Sequence, residues 1–179
     1  MREAVIVIDM LNDFIRPDGL LYVPGSERLI EPIGRRLAET RAAGDAVIYA
    51  CNHHLPDDEE FRIFGPHGVV GSFGAEVISE LAPQPGDRLV AKRRYSAFFC
   101  SELLLSLREL RVEAVEITGV VTNICVYFTA ADARNLAYPV TVHAQRVAGL
   151  DERTHEFALE QMVSVLGVKV VREPVLAGA

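Results

Sequence analysis

Six short runs rich in β-branched residues constrain this chain most. They are Ala4–Ile8, Ala46–Ala50, Arg88–Ala91, Ala114–Thr118, Val140–His143 and Val168–Val171. Most are apolar along their whole length rather than at every second residue. A strand with one wet face alternates, whereas a strand covered on both faces does not, so this pattern predicts a buried parallel sheet. Helix-like stretches separate the runs. Ser26–Ala43 opens on a capping-type serine and stops before Gly44, Phe73–Leu81 stops before Pro83, and Ser101–Leu110 carries leucines at helical spacing. Thr122–Asn135 is rich in alanine, and Asp151–Leu166 opens on an acidic turn and ends before Gly167. Alternating strands and helices predict βαβ units with helices on both sides of the sheet, an α/β three-layer sandwich. The 179 residues suit one domain, 1–179, with no internal repeat or linker to divide them and a loosely attached tail after Arg172.

Composition narrows the possible functions. A net charge of −7 argues against binding nucleic acid through overall charge. No apolar run approaches the ~20 residues of a membrane helix, and no cleavable leader is expected. The three cysteines, Cys51, Cys100 and Cys125, are too few for a disulfide framework and lack C-x-x-C spacing. The expectation is a cytoplasmic, reduced protein.

Residues 52–71 break the rhythm of strand and helix. They hold three of the five histidines, four acidic residues and several bulky apolar ones. A long irregular segment inside a compact domain suggests a functional loop. Asn52, His54, Glu60 and His67 offer imidazole and carboxylate donors suited to zinc, iron or manganese, with His53 as a competing ligand. Their spacing alone is not one of the tight helical metal motifs.

Three further residues stand out, two of them at the ends of predicted strands, where open α/β sheets bind ligands. Asp9 follows the first run, and alone it serves equally well as a turn cap. Lys92 follows the third run, where a lone lysine is ordinarily a surface group. Cys125 sits in Gly119-Val120-Val121-Thr122-Asn123-Ile124-Cys125-Val126, just inside a helix that Thr122 or Asn123 could cap. Free N–H groups and the helix dipole there would lower a thiol pKa and could hold an oxyanion, although an inert buried cysteine fits the same spacing. Cys51 and Cys100 read as structural.

In order, these blocks resemble the cysteine hydrolases of the isochorismatase-like superfamily, and most closely its nicotinamidase branch. Asp9-Met10-Leu11-Asn12-Asp13-Phe14 is similar to the opening D-x-x-N-D-F. Lys92-Arg93-Arg94-Tyr95-Ser96-Ala97-Phe98 is similar to K-x-R-Y-S-A-F, and Gly119 to Val126 to the G-x-x-T-[DN]-x-C-V turn. The resemblance runs from Val5 to about Val171. It implies a six-stranded parallel sheet of Rossmann type flanked by helices, and a cis peptide at Val120–Val121. It implies Cys125 as nucleophile, Asp9 as its base and later the acid for the leaving group, and Lys92 as the support of that pair. The backbone N–H groups of Val121 and Cys125 would form the oxyanion hole. It further implies a divalent transition metal, zinc first with iron or manganese as alternatives, on His54, Glu60 and His67, with Asn52 standing where the family has aspartate.

Phe14 and Tyr95 are expected beside a flat substrate ring, although ordinary packing explains them as well. The implied activity is hydrolysis of nicotinamide, and of analogues such as pyrazinamide, to the acid and ammonia through a thioester. A related amidase acting on a carbamoyl or ureido compound, with a vestigial metal site, is the alternative. An isochorismatase proper and a pocket-bearing interaction protein fit the residues less well. Besides its small-molecule amide, the chain is expected to have no nucleic-acid or membrane partner and to form a homo-oligomer.

Overall fold

The structure, a computed structural model, describes residues 2–172, so the expected loose tail lies outside the described residues. All six predicted strands form. They are β1 (Glu3–Ile8), β2 (Ala46–Asn52), β3 (Arg88–Lys92), β4 (Ala114–Val120), β5 (Val140–Ala148) and β6 (Lys169–Val171). They pair in parallel in the order β3-β2-β1-β4-β5-β6. Every residue of β2 and β4 is buried, as is β1 after Glu3, which is why these segments read as unbroken apolar runs.

The helices are α1 (Asn12–Ile15), α2 (Ile30–Ala42), α3 (Phe61–Phe64), α4 (Leu103–Glu109), α5 (Tyr127–Asn135) and α6 (Glu152–Ser164). Side chains alternate across the sheet and divide the core in two. Val5, Val7, Val47 and Tyr49 pack with Ile33 and Leu37 of α2. Ala4, Ile6, Ile48, Ile117 and Val142 pack on the other face with Leu103, Leu107, Ala130, Ala133, Leu159 and Met162 of α4, α5 and α6. The result is the three-layer α/β sandwich.

From β1 the chain winds outward to β2 and β3, then crosses back to β4 and winds the other way. The reversal lies between β1 and β4, and the crevice beyond the carboxyl ends of these two strands is where such a fold binds ligands. Gly119 makes their close approach possible. It has φ of +107°, and a Cβ there would lie 2.0 Å from the Ile8 carbonyl oxygen.

Two helical expectations change. Residues 73–81 form 3₁₀ turns at Phe73–Ala75 and Ser79–Leu81 rather than one helix. Between them the backbone is recruited by the loop after β1, where Asn12 N–H donates to the Glu76 carbonyl and Ile78 N–H to the Met10 carbonyl. Residues 122–135 open as a π-helical turn, Thr122–Val126, before α5 begins. Neither Thr122 nor Asn123 caps it. Val121 holds the cap position, and the Thr122 hydroxyl instead pairs with His155 Nδ1 at 2.8 Å.

Candidate active site

The sheet brings Asp9, Lys92 and Cys125 together. Asp9 lies one residue beyond Ile8, which pairs with Ala50 on one side and Gly119 on the other, so its carboxylate emerges at the switch point. Its φ of +50° turns the chain sharply there. Lys92 pairs in register with Asn52 at the end of the neighbouring strands. Lys92 Nζ lies 2.7 Å from Asp9 Oδ2 and donates to Cys125 Sγ at 3.3 Å. Asp9 and Lys92 are 1% exposed and Cys125 7%, so two full charges and a thiol share a site almost without water.

Burial disfavours the Lys92 ammonium, but the Asp9 carboxylate and the Cys125 sulfur outweigh it and raise the lysine above its ordinary pKa. Cys125 goes the other way from the sequence expectation. Burial pushes its thiol up to about 12; Lys92 pulls it down and Asp9 pushes it up again. Backbone geometry around the sulfur is tight. Ile124 and Val126 N–H groups both donate to the Val121 carbonyl, at 3.0 and 3.2 Å. The Val120–Val121 peptide is cis.

A second group converges next to this one. Donor atoms of His54, Glu60 and His67 lie within 4.8 Å of one another, and all three residues are buried. Glu60 Oε1 is 3.8 Å from His54 Nε2 and 3.7 Å from His67 Nε2. His67 Nδ1 is held by the Gly65 carbonyl at 2.8 Å, which aims Nε2 into the cluster. His54 Nδ1 lies 3.2 Å from Asp58 Oδ2, the carboxylate–imidazole pairing that orients metal-binding histidines. His54 Nε2 and Glu60 Oε2 are buried without a hydrogen-bond partner, which is costly unless something else engages them. Two imidazoles and one carboxylate are the donor set of catalytic zinc sites, so the residues fit a divalent ion.

Asn52 does not join the cluster. Its side-chain oxygen accepts from Lys92 Nζ, and its backbone N–H donates to Asp9 Oδ1 at 2.7 Å. Lysine carries only donors, so the amide oxygen must be the atom facing it. His53 is also outside the cluster, because alternation along the chain sends it to the opposite side from His54.

Both groups border one cavity. Cys125, Val121 and Ile124 form one wall, and Glu60, His67, Asn52 and Phe14 the other. Phe14 stands edge-on to His67 with ring centres 5.5 Å apart. The cavity has room for about 20 Å³, one water's worth, and Leu21, Phe64 and Leu150 complete its lining. Tyr95, expected beside the substrate, is set back from the cavity, with its ring against Phe64 and Phe128.

Sequence reasoning missed Asp58. It is buried, accepts from Arg93 Nε at 2.9 Å and Arg94 Nη1 at 3.0 Å, and touches His54. Burial would push its carboxyl up, but His54 and Arg93 hold it well below the usual carboxylate range. The one available signal was its place four residues after His54 in an acidic run.

Comparison with known proteins shows the family. The isochorismatase domain model matches residues 3–172. The chain belongs to the isochorismatase family. An uncharacterized isochorismatase family protein named PncA, from Bacillus subtilis, is 35% identical over 181 residues, covering 95% of this chain and 99% of that one. The N-carbamoylsarcosine amidase structure from Thermoplasma acidophilum superposes with a TM-score of 0.89 at 34% identity, covering 99% of this chain and 100% of that one. The pyrazinamidase of Pyrococcus horikoshii in complex with zinc gives a TM-score of 0.90 at 30% identity, covering 97% and 100%. Among the described residues no helix is long and apolar enough to cross a membrane.

Proposed function

We propose that this protein is a metal-assisted cysteine amidohydrolase that converts nicotinamide, and analogues such as pyrazinamide, to the acid and ammonia. The observation that carries the reading is the single cavity bounded by Cys125 on one side and by Glu60 and His67 on the other. A substrate held there would have its carboxamide at the sulfur and its ring toward the histidines.

Asp9 takes the thiol proton as sulfur attacks the amide carbon, and Lys92 stabilises the charge that appears on sulfur. The Val121 and Cys125 N–H groups receive the carbonyl oxygen as it becomes an oxyanion. Collapse of this adduct breaks the C–N bond. Asp9 returns its proton to the departing nitrogen, and ammonia leaves a thioester on Cys125. Asp9 then takes a proton from an attacking water, the C–S bond breaks to release the carboxylic acid, and Asp9 passes the proton to sulfur, which regenerates the thiol. His54, Glu60 and His67 would hold a divalent ion, zinc first, which when bound supplies a Lewis-acidic contact for the ring nitrogen.

A carbamoyl amide is the second reading. Likeness to the N-carbamoylsarcosine amidase over the whole chain favours it, as does the engagement of Asn52 by Lys92 instead of by the cluster. Ammonia release from nicotinamide, pyrazinamide and N-carbamoylsarcosine separates the two. Turnover of the first pair that depends on added zinc supports the nicotinamidase reading. Turnover of only the carbamoyl compound refutes it. Cys125→Ala is expected to abolish release while the thermal midpoint stays near that of the parent; an active variant removes the nucleophile. The proposal extends to a cytoplasmic homo-oligomer, for which light scattering gives the assembly size.

A further inference from the structure

We propose that Asn52 is a positioning residue for the Asp9–Lys92 pair, and that the metal cluster is built from His54, Glu60 and His67 without it. An ammonium has three N–H donors. Those of Lys92 find Asp9 Oδ2, the Asn52 side-chain oxygen and Cys125 Sγ. Two of the three hold the ammonium in place, and the third is thereby aimed at sulfur. Among the described residues the one other acceptor in reach is the Arg94 carbonyl at 3.4 Å. Asn52 also grips the partner carboxylate, because its backbone N–H donates to Asp9 Oδ1 at 2.7 Å. One residue thus spans both members of the ion pair, and the in-register pairing of Asn52 with Lys92 sets its place.

The same contacts keep Asn52 off the metal. Its amide nitrogen has no lone pair to give, and its oxygen faces a buried cation, where a dication would be repelled. Gly68 closes over the side chain from behind, since a Cβ at Gly68 would lie 2.8 Å from Asn52 Cβ. Neutrality matters as well as shape. A carboxylate at position 52 would compete with Asp9 and Cys125 for one ammonium, whereas an amide accepts a hydrogen bond and leaves the positive charge to the sulfur.

The inference rests on Cys125 as nucleophile, but its test needs no substrate. Iodoacetamide alkylation of Cys125, read by peptide mass mapping so that Cys51 and Cys100 do not interfere, reports the activated sulfur. Zinc bound per chain after dialysis reports the cluster. Asn52→Ala is expected to slow Cys125 alkylation roughly tenfold, the scale of one charged hydrogen bond, with zinc content unchanged. On the turned-over amide it lowers kcat and leaves KM nearly unchanged. His54→Ala loses the zinc. Asn52→Asp keeps the volume and shifts the alkylation profile toward alkaline pH, and it carries the test should the alanine variant fail to fold. Zinc loss in Asn52→Ala matching that of His54→Ala overturns the proposal, as does alkylation at the parental rate or an unshifted Asn52→Asp profile. A parent protein that releases no ammonia from any amide defeats the proposed substrate and leaves these readouts intact.

Discussion

Replacing Lys92 by methionine keeps the length and apolar stem of the side chain and removes its charge. Lys92 and Asp9 are each 1% exposed and 2.7 Å apart, so the variant leaves a carboxylate in a dry site with no counter-ion. Breaking a buried pair by removing one partner costs about 3–5 kcal/mol. In a domain of this size each kcal/mol moves Tm by roughly 2–4 °C, so the expected drop is roughly 6–20 °C. The lost donations to Asn52 and Cys125 favour the upper half of that range.

The pH dependence follows from the raised lysine. A raised folded pKa gives stability that is fully present below the unfolded value of about 10.4 and lost only as pH climbs through the folded one. The deficit of the variant is therefore flat up to about pH 9 on the alkaline side. Asp9→Asn combined with Lys92→Met leaves no buried charge and recovers most of the loss. Thermal unfolding followed by circular dichroism at several pH values measures all three proteins. A single variant within about 1 kcal/mol of the parent, or a double variant no more stable than the single, would refute the desolvated ion pair.

Three other outcomes follow from the same structure. Asp58→Asn weakens the carboxylate that orients His54 and anchors Arg93 and Arg94, so zinc affinity measured by chelator competition falls about 10–100-fold. His67→Ala strips zinc and raises KM for the ring amide, and unchanged values in both would mean that the loop is no site. Gly119→Ala forces a Cβ against the Ile8 carbonyl at a φ of +107°, so a loss of more than about 3 kcal/mol is expected, and a parental Tm would contradict the described β1–β4 approach.

Much of the site could be anticipated because its residues end strands. Asp9 and Lys92 follow apolar runs at the carboxyl ends of strands, which is where an open α/β sheet binds ligands. Position nominated Asp9, Lys92 and Cys125, and the resemblance of the three sequence blocks to one family singled them out as a set. The loop histidines could be nominated by donor type, but their convergence on Glu60 depends on how residues 52–71 fold over the rim. Residues 73–81 misled the helical reading because their backbone groups are claimed by segments 61 or more positions away, such as Asn12, whose amide donates to Phe73.

Periodicity and residue type, which are local, dictated the parallel α/β architecture and the position of each strand, and nominated the polar residues at the ends of β1 and β3. Strand order, the partner of Asn52, the retreat of Tyr95 behind Phe64 and the upward push of burial on the Cys125 thiol were settled by packing. Each of these depends on which distant groups become neighbours and how much water they exclude. Desolvation and pair energies scale with distance and burial in space, quantities that spacing along a chain does not contain.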